Sequence, residues 1–204
     1  MKAINSIIIM IILITGLALS NFTFLQKFTT EQQELIFPLD LRDCRIINNR
    51  LELTGWYNER RWYGLHRAYD ISVIEDTPVI MPMDGTIKTI GSYSYPKHTS
   101  TGWYNGLGIY IDIEFVYEGR IITMRFAHLN KILKKENQEV KQGEVIALTG
   151  STGLVNRKGI TVYAPHLPIE TYENGVRIPF HVELGQAVRR ALGGTDKFSF
   201  TLRR

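Results

Sequence analysis

Between Ile109 and Phe115 every second residue is apolar, and the residues between them are polar or aromatic. Strict alternation of this kind is typical of a β-strand that is buried on one face only. Glu118-Gly119 follows as a turn, and Ile121 to Phe126 returns as a partner strand. The sequence therefore predicts an antiparallel hairpin, which restricts the chain to folds built on a half-buried sheet.

Short strand-like segments recur along the rest of the chain, separated by turn residues. Thr77 to Met81 and Thr86 to Ile90 are joined through Asp84-Gly85, a dipeptide common in hairpin turns. Many short strands at regular spacing predict an all-β fold, an antiparallel β-sandwich of the hybrid-barrel type. Short peripheral helices are expected at Asn130 to Glu136 and at Val182 to Leu192.

Length, charge and cysteine content narrow the class of protein. The chain has 204 residues, enough for one domain of ordinary size with a leader. Its net charge is only +4, with no basic stripe interleaved with aromatic residues, so we expect no nucleic-acid partner. Cys44 is the single cysteine, and the fold cannot contain an internal disulfide.

The N-terminus has the pattern of an export signal. Lys2 precedes a nearly unbroken apolar run from Ile7 to Leu19, and Ala18-Leu19-Ser20 resembles a cleavage site. The run is shorter than the roughly 20 residues that cross a bilayer, which favours a cleaved signal peptide over an uncleaved membrane anchor. In both cases we expect the body of the protein in the cell envelope, outside the cytoplasm.

Four residues form a candidate metal-dependent site. His66 and Asp70 lie four residues apart, and the isolated histidines His128 and His166 follow. Zinc in hydrolases takes histidine nitrogens and carboxylate oxygens, with three protein ligands and one open position for water. The sequence therefore predicts a site derived from a mononuclear zinc hydrolase. The glycine-rich Gly150 to Gly153 lacks the lysine of a phosphate-binding loop, and we interpret it as a turn.

Five segments, in order, resemble the lysostaphin-type peptidoglycan endopeptidases, which are also called LytM-like domains. H-R-A-Y-D resembles the H-x-G-x-D motif of that family, T-P-V-I-M-P-M-D-G-T-I resembles the strands that follow it, and F-A-H-L resembles Y-A-H-L. V-K-Q-G-E-V-I-A-L-T-G-S-T-G resembles the approach to the last motif, and P-H-L-P-I-E stands where the family has H-L-H-F-E. The resemblance spans Gly64 to Gly175 and implies a lysostaphin/LytM-like β-sandwich.

The resemblance also implies a role for each site residue. His66 and Asp70 match two zinc ligands, and His128 and His166 match two catalytic histidines that handle protons and stabilise the oxyanion. The third zinc ligand would be the second histidine of the H-x-H pair, and Pro168 stands there. Because proline has no lone pair to offer, we expect zinc binding to be weak or absent.

The first functional hypothesis is therefore a cell-envelope protein of this fold that is catalytically impaired or inactive. Its expected partners are a peptidoglycan stem or cross-bridge peptide, or a cell-wall enzyme that it regulates. The alternative is an active zinc endopeptidase in which His181 or Glu170 substitutes for the missing ligand. A lipoyl- or biotinyl-like carrier domain is disfavoured, because Met83-Asp84-Gly85 offers no lysine at the hairpin tip.

The expected domain organisation has four parts. Residues 1–25 form the signal peptide or anchor, and residues 26–60 form an N-terminal extension that packs on the core. Residues 61–180 form the β domain, and residues 181–204 form a C-terminal helix and a basic tail. An aromatic loop that includes Tyr93, Tyr95, Trp103 and Tyr104 is expected to form a wall of the binding groove.

Overall fold

The computed structural model describes residues 33–47, 50–61, 64–93, 103–156 and 164–193. The predicted leader and most of the predicted aromatic loop lie outside these residues, as does the basic tail. The described strands, in chain order, are β1 Ile46–Ile47, β2 Arg50–Leu51, β3 Leu53–Gly55, β4 Glu59–Arg61, β5 Gly64–His66, β6 Tyr69–Ser72, β7 Pro78–Ile80, β8 Gly85–Tyr93, β9 Trp103–Asn105, β10 Gly108–Tyr117, β11 Arg120–Leu129, β12 Lys131–Ile132, β13 Glu139–Val140, β14 Val145–Leu148, β15 Leu154–Asn156, β16 His166–Glu173 and β17 Val176–Arg177. A 3-10 turn spans Leu41–Asp43, and the helix α1 spans His181–Ala191.

The predicted hairpin forms the middle of an eight-stranded sheet. Its strands β10 and β11 pair antiparallel, and the sheet runs in the order β13-β8-β10-β11-β16-β6-β3, with β17 added on β16. A smaller sheet has the order β12-β14-β7, and three two-stranded ribbons pair β1 with β2, β4 with β5, and β9 with β15. All the strand pairs among the described residues are antiparallel, so the predicted all-β, antiparallel fold is confirmed.

One face of the large sheet carries the hydrophobic core. The apolar residues of the alternating strand, Ile111, Ile113 and Phe115, are almost completely buried. The opposite face carries polar residues such as Asp112, which is nevertheless only 6% exposed. The second face of this sheet is therefore not a plain solvent-facing surface but holds buried polar groups.

The predicted C-terminal helix is confirmed, with bounds shifted by one residue. Its residues Leu184, Ala187 and Val188 are buried in the same hydrophobic core as the large sheet. Their spacing of three and four residues places them on one face of the helix. Arg189 and Arg190 lie in the last turn, where positive charge interacts favourably with the helix dipole.

The helix predicted from Asn130 to Glu136 is wrong. Lys131–Ile132 instead forms β12 and pairs with Leu148 and Ala147 of β14. A helix of one or two turns is marginal in water by itself. The backbone hydrogen bonds to β14 stabilise this segment more than one or two helical turns would, so it forms a strand.

The described part of the N-terminal extension contacts the β domain at several points. Leu35, Phe37 and Leu39 are buried, and Leu39 makes an isolated β-bridge with Val79. Cys44 is also buried and makes a bridge with Val73. The boundaries of the four predicted parts remain a prediction. Among the residues described, none of the helices is long and apolar enough to cross a membrane.

Candidate active-site groove

Asp70 lies on β6, and the residues directly opposite it on the two neighbouring strands offer its carboxylate no hydrogen-bond donor. On β16 its directly opposite residue is Pro168, and on β3 it is Gly55. Residues directly opposite in an antiparallel pair bring their Cβ atoms within about 4.5–5.5 Å, so Pro168 lies beside the Asp70 carboxylate. Both Asp70 and Pro168 are buried.

His66 is held with one ring nitrogen toward Asp70. Its Nδ1 lies 2.9 Å from the carbonyl oxygen of Trp56, and its Nε2 lies 3.2 Å from Oδ2 of Asp70. A backbone carbonyl on Nδ1 is how proteins commonly orient a metal-binding histidine. As the ring stands, both nitrogens face acceptors, and both contacts are made when each nitrogen carries a proton.

Arg61 joins His66 and Asp70 to form a cluster of three, which we call the Asp70 cluster, and no sequence motif pointed to it. Its Nη2 lies 3.1 Å from Oδ2 of Asp70 and 2.9 Å from Oε2 of Glu59. Glu59 and Arg61 are two residues apart on β4, so their side chains share one face. Glu59 is also directly opposite His66 in the β4–β5 ribbon. The ribbon therefore presents all three side chains toward Asp70.

The Asp70 carboxylate stays ionised although it is buried. Burial opposes its ionisation, but the hydrogen bond from His66 and the positive charges of His66, His166 and Arg61 outweigh burial and hold the pKa at about 2. The two carboxylate oxygens of Asp70 differ in their hydrogen-bond partners. Oδ2 faces both His66 and Arg61, whereas Oδ1 is the one buried side-chain polar atom, among the residues described, without a hydrogen-bond partner.

A β-bulge brings His128 to the groove. Ile109 is opposite Leu129 but Ile111 is opposite Phe126, so two residues of β11 face one residue of β10. In a regular strand His128 would follow Phe126 onto the core face, and the extra residue reverses that direction. His128 also has a φ of +55°, a backbone conformation that is uncommon for a residue with a side chain.

His128 and His166 meet in the groove. Their ring centroids are 4.9 Å apart in an edge-to-face arrangement. Nδ1 of His128 is 2.8 Å from the carbonyl oxygen of Thr152, and Nδ1 of His166 is 3.0 Å from that of Ala164. Burial, followed by the charge of His166, lowers the pKa of His128 to about 4. Since His66 and Asp70 also act electrostatically on His128, all four predicted site residues lie in one neighbourhood.

The residues present do not complete a zinc site. His66 and Asp70 keep orientations suited to a ligand, but Pro168 stands across from Asp70 with no donor atom. Among the residues described, no group of three or more histidine, cysteine or acidic side chains is placed to hold a metal ion. Within the described ranges, His66 and Asp70 have no third ligand beside them, and the guanidinium of Arg61 lies at Oδ2, the oxygen of Asp70 that faces His66.

The two predicted substitute ligands are placed elsewhere. Nδ1 of His181 lies 3.4 Å from the hydroxyl of Tyr69, and Tyr69 points to the opposite face of β6 from Asp70. Glu170 shares the face of Pro168 but binds Arg177, with 3.2 Å between Oε2 and Nη2. Neither side chain is available as a third ligand without leaving its present partner.

An ion network continues the same face of the sheet beyond Glu170. Arg125 makes a bidentate contact with Asp112, at 2.6 Å from Nε to Oδ1 and 2.8 Å from Nη2 to Oδ2, and those hydrogen bonds raise the pKa of Arg125. The hydroxyl of Tyr172 donates to Glu170 and accepts from Nε of Arg177 at 3.0 Å. The guanidinium of Arg125 also lies 4.6 Å from the centre of the Tyr110 ring. The sequence analysis missed this network, although the direct pairing of Asp112 with Arg125 follows from the register of the predicted hairpin.

The antiparallel β fold and the pair of His128 and His166 agree with the class of protein that the sequence resembles, the lysostaphin-type β domains. Residues 64–179 match peptidase family M23, which is more than half of the 204-residue chain. The chain belongs to peptidase family M23. The resemblance to lysostaphin-type domains is thereby confirmed.

Two proteins with similar sequences are much longer than this chain. An uncharacterized metalloprotease of Haemophilus influenzae is 35% identical over 120 residues, which cover 58% of this chain and 21% of that protein. The peptidoglycan DD-endopeptidase ShyC of Vibrio cholerae is 31% identical over 170 residues, or 80% of this chain and 32% of that protein. The chain thus spans about a fifth to a third of the length of these relatives.

Solved structures agree on the fold. The catalytic domain of lysostaphin from Staphylococcus simulans superimposes with a TM-score of 0.51 at 23% identity, covering 66% of this chain and 92% of that domain. A zinc containing peptidase from Vibrio cholerae also gives a TM-score of 0.51 at 23% identity, covering 72% of this chain and 39% of that one. The predicted lysostaphin/LytM-like fold is confirmed, and nothing in these matches supports a carrier domain.

Proposed function

We propose that this chain is a catalytically silent member of peptidase family M23 that binds peptides of peptidoglycan in its groove. The observation that carries the proposal is the position of Pro168, directly across from Asp70. The resemblance to lysostaphin-type domains assigns that position to the third zinc ligand. Its loss should lower metal affinity by orders of magnitude, because structural and catalytic zinc sites rest on at least three protein ligands.

The histidines cannot compensate for the missing ligand. His128 and His166 face each other with their ring centroids 4.9 Å apart, so a bound molecule can contact both imidazoles. A free water molecule has a pKa of about 15.7, against about 7 for water bound to zinc. That difference corresponds to roughly 12 kcal/mol at about 1.36 kcal/mol per pKa unit, which two histidines do not supply.

Binding, in contrast, needs only the groove. The walls beside Asp70 and the pair of His128 and His166 remain in place, with polar atoms that suit the amides and carboxylates of a peptide. The choice of peptidoglycan peptides as ligands is supported by the relative ShyC, which is named as a peptidoglycan DD-endopeptidase. The proposal places the protein in the cell envelope, where that polymer lies.

The first test measures zinc and hydrolysis in the same preparations. The full-length chain is compared with Pro168→His, which supplies an imidazole beside Asp70, and with Pro168→Ala, which removes the ring without supplying a ligand. We expect little zinc by elemental analysis and no release of fragments from purified sacculi for wild type and Pro168→Ala. One zinc ion per wild-type chain, with chelator-sensitive release of fragments that His66→Ala abolishes, would overturn the proposal.

The second test measures binding. We expect the wild-type chain to co-sediment with sacculi and to be displaced by soluble stem or cross-bridge peptides. Enlarging the groove-lining His166 to Trp should weaken that binding, whereas Val116→Trp, at an exposed position of the hairpin, should not. Failure to bind any cell-wall material, together with binding to a cell-wall enzyme, would replace the peptide by a protein as the partner of the groove.

A further inference from the structure

The buried Asp70 carboxylate is paired with a cationic side chain of the same protein, the guanidinium of Arg61. Arg61 approaches Oδ2 of Asp70 to 3.1 Å, and the side chains of the two residues are 27% and 5% exposed. Oε2 of Glu59 also binds the guanidinium, at 3.1 Å from Nε and 2.9 Å from Nη2, so Nη2 contacts both carboxylates. Because the guanidinium is planar and bound through both Nε and Nη2, its orientation is defined and each contact carries a small entropic cost.

Gly55 is the residue that lets Arg61 reach Asp70. It is directly opposite Asp70 on β3. A Cβ atom at this position would lie 2.2 Å from Nη2 of Arg61 and 2.2 Å from Oδ2 of Asp70. Any side chain at residue 55 would therefore push the guanidinium away, and the contact requires glycine for space and not for its backbone angles.

We propose that Arg61 is a built-in counter-ion that stands in for the metal at Asp70. The guanidinium compensates the buried carboxylate, so that the groove keeps its shape without a metal ion. It also opposes the return of a metal, even when the third ligand is restored. This inference rests on the proposed function in one respect, the absence of a resident zinc ion.

Charge and distance support both parts of the inference. Oδ1 of Asp70 has no hydrogen-bond partner, so the burial of this carboxylate is compensated through Oδ2 alone. A buried charge that loses its partner is strongly destabilising. A zinc ion bound to Oδ2 at about 2.0–2.2 Å would lie at most about 5 Å from the Arg61 nitrogen, where two positive charges repel each other.

The first experiment measures thermal unfolding of the full chain with and without EDTA. Arg61→Gln should lower Tm by on the order of 10 °C, because Asp70 loses its permanently charged partner. Arg61→Lys should lower it less, since the charge remains. Arg60→Gln is the matched control, because Arg60 is exposed and points to the other face of β4. EDTA should leave all four melting temperatures unchanged.

Two further variants test the contact between Arg61 and Asp70 without relying on the loss of the Arg61 side chain alone. Gly55→Ala should lower Tm without changing any charge, because the added methyl displaces the guanidinium. The double variant with Arg61→Gln and Asp70→Asn should recover much of the loss seen in Arg61→Gln, because the uncompensated carboxylate is gone. If Arg61→Gln does not fold, this double variant and Gly55→Ala carry the test.

The second experiment measures zinc affinity by equilibrium dialysis. Pro168→His is compared with Pro168→His combined with Arg61→Gln, and with Pro168→His combined with Arg60→Gln. We expect the Arg61 combination to bind zinc at least tenfold more tightly than the other two. If it is too unstable to measure, Pro168→His combined with Arg61→Met, which removes the charge but keeps a long side chain, serves the same purpose.

The outcomes separate this inference from the proposed function. A wild-type chain without zinc in which Arg61→Gln unfolds at the same temperature as Arg60→Gln overturns the role of Arg61 alone. Equal zinc affinities for the three Pro168→His variants overturn the part in which Arg61 opposes a metal. A tightly held zinc ion in the wild-type chain overturns both.

Discussion

Two charged clusters lie on the same face of the large sheet, and they differ in how well their charges are matched. The ion network combines two arginines, Arg125 and Arg177, with the carboxylates of Asp112 and Glu170. The Asp70 cluster places Arg61 between two carboxylates, with His66 as the further donor. The network satisfies its buried polar atoms, whereas Asp70 keeps one oxygen without a partner.

The difference comes from the residues directly opposite in the sheet. Arg125 faces Asp112 on one side and Glu170 on the other, so both neighbouring strands supply a charge of opposite sign. Asp70 faces Gly55 and Pro168, which supply none. A buried carboxylate in such a place must obtain its partner from outside the sheet, and the β4–β5 ribbon provides it.

The largest expected effect is in the ion network around Arg125. Arg125→Gln should destabilise the protein by about 3–5 kcal/mol, because Asp112 and Glu170 lose their shared cation while they remain buried. Arg120→Gln is the control, since Arg120 reaches Glu173 and Glu183 only at 3.6 Å and is more exposed. Denaturant unfolding checks the difference. Equal losses for the two variants would show that the network does not behave as a matched buried cluster.

The next effect is the acid sensitivity of the groove, which holds the Asp70 cluster and His128. The pKa of His128 is about 4 in the folded protein, below the ordinary 6.5, so the unfolded chain binds the additional proton between these values. Stability is therefore greatest above pH 6.5 and falls as the pH drops toward 4, by on the order of 3 kcal/mol from this group.

His128→Asn removes the titrating ring and keeps a residue that tolerates positive φ. The variant should have a flatter stability profile between pH 6.5 and 4, measured by denaturant unfolding at a series of pH values. His181→Asn, which removes an imidazole outside the groove, is the control for the loss of a histidine. An unchanged slope in His128→Asn would mean that the acid sensitivity does not come from this end of the groove.

The smallest expected effect concerns the hydroxyl that links Glu170 with Arg177. Tyr172→Phe should cost about 1–2 kcal/mol, because the hydroxyl both donates to Glu170 and accepts from Arg177. Tyr57→Phe is the matched control, since its exposed hydroxyl donates only to the carbonyl oxygen of Arg177 at 3.1 Å. Unfolding midpoints in denaturant give both values. A Tyr57→Phe loss as large as that of Tyr172→Phe would argue against a cooperative network.

Local patterns predicted the elements that depend on local physics. The alternation from Ile109 to Phe115 predicted a strand that the structure contains, and the apolar spacing in Val182 to Leu192 predicted the C-terminal helix. The segment from Asn130 to Glu136 was mispredicted, because its structure is decided by pairing with β14, which is distant in sequence.

The groove was predictable only in part, for a similar reason. The resemblance to a known family singled out His66, Asp70, His128 and His166, and the structure brings them together, while their chemical roles remain a prediction. No sequence pattern indicates the bulge that turns His128 into the groove. Arg61 was missed because its contact with Asp70 depends on the β4–β5 ribbon crossing Gly55, which no periodicity reveals.

The burial of Cys44 bears on the proposed location in the cell envelope, because that compartment is oxidising. Thiol oxidation and disulfide exchange proceed through the thiolate. Burial, followed by the negative charges of Asp43 and Asp40, raises the pKa of Cys44 to about 12. At neutral pH the folded chain therefore exposes almost no reactive sulfur. In the envelope location proposed above, such a thiol would resist cross-linking to neighbouring proteins.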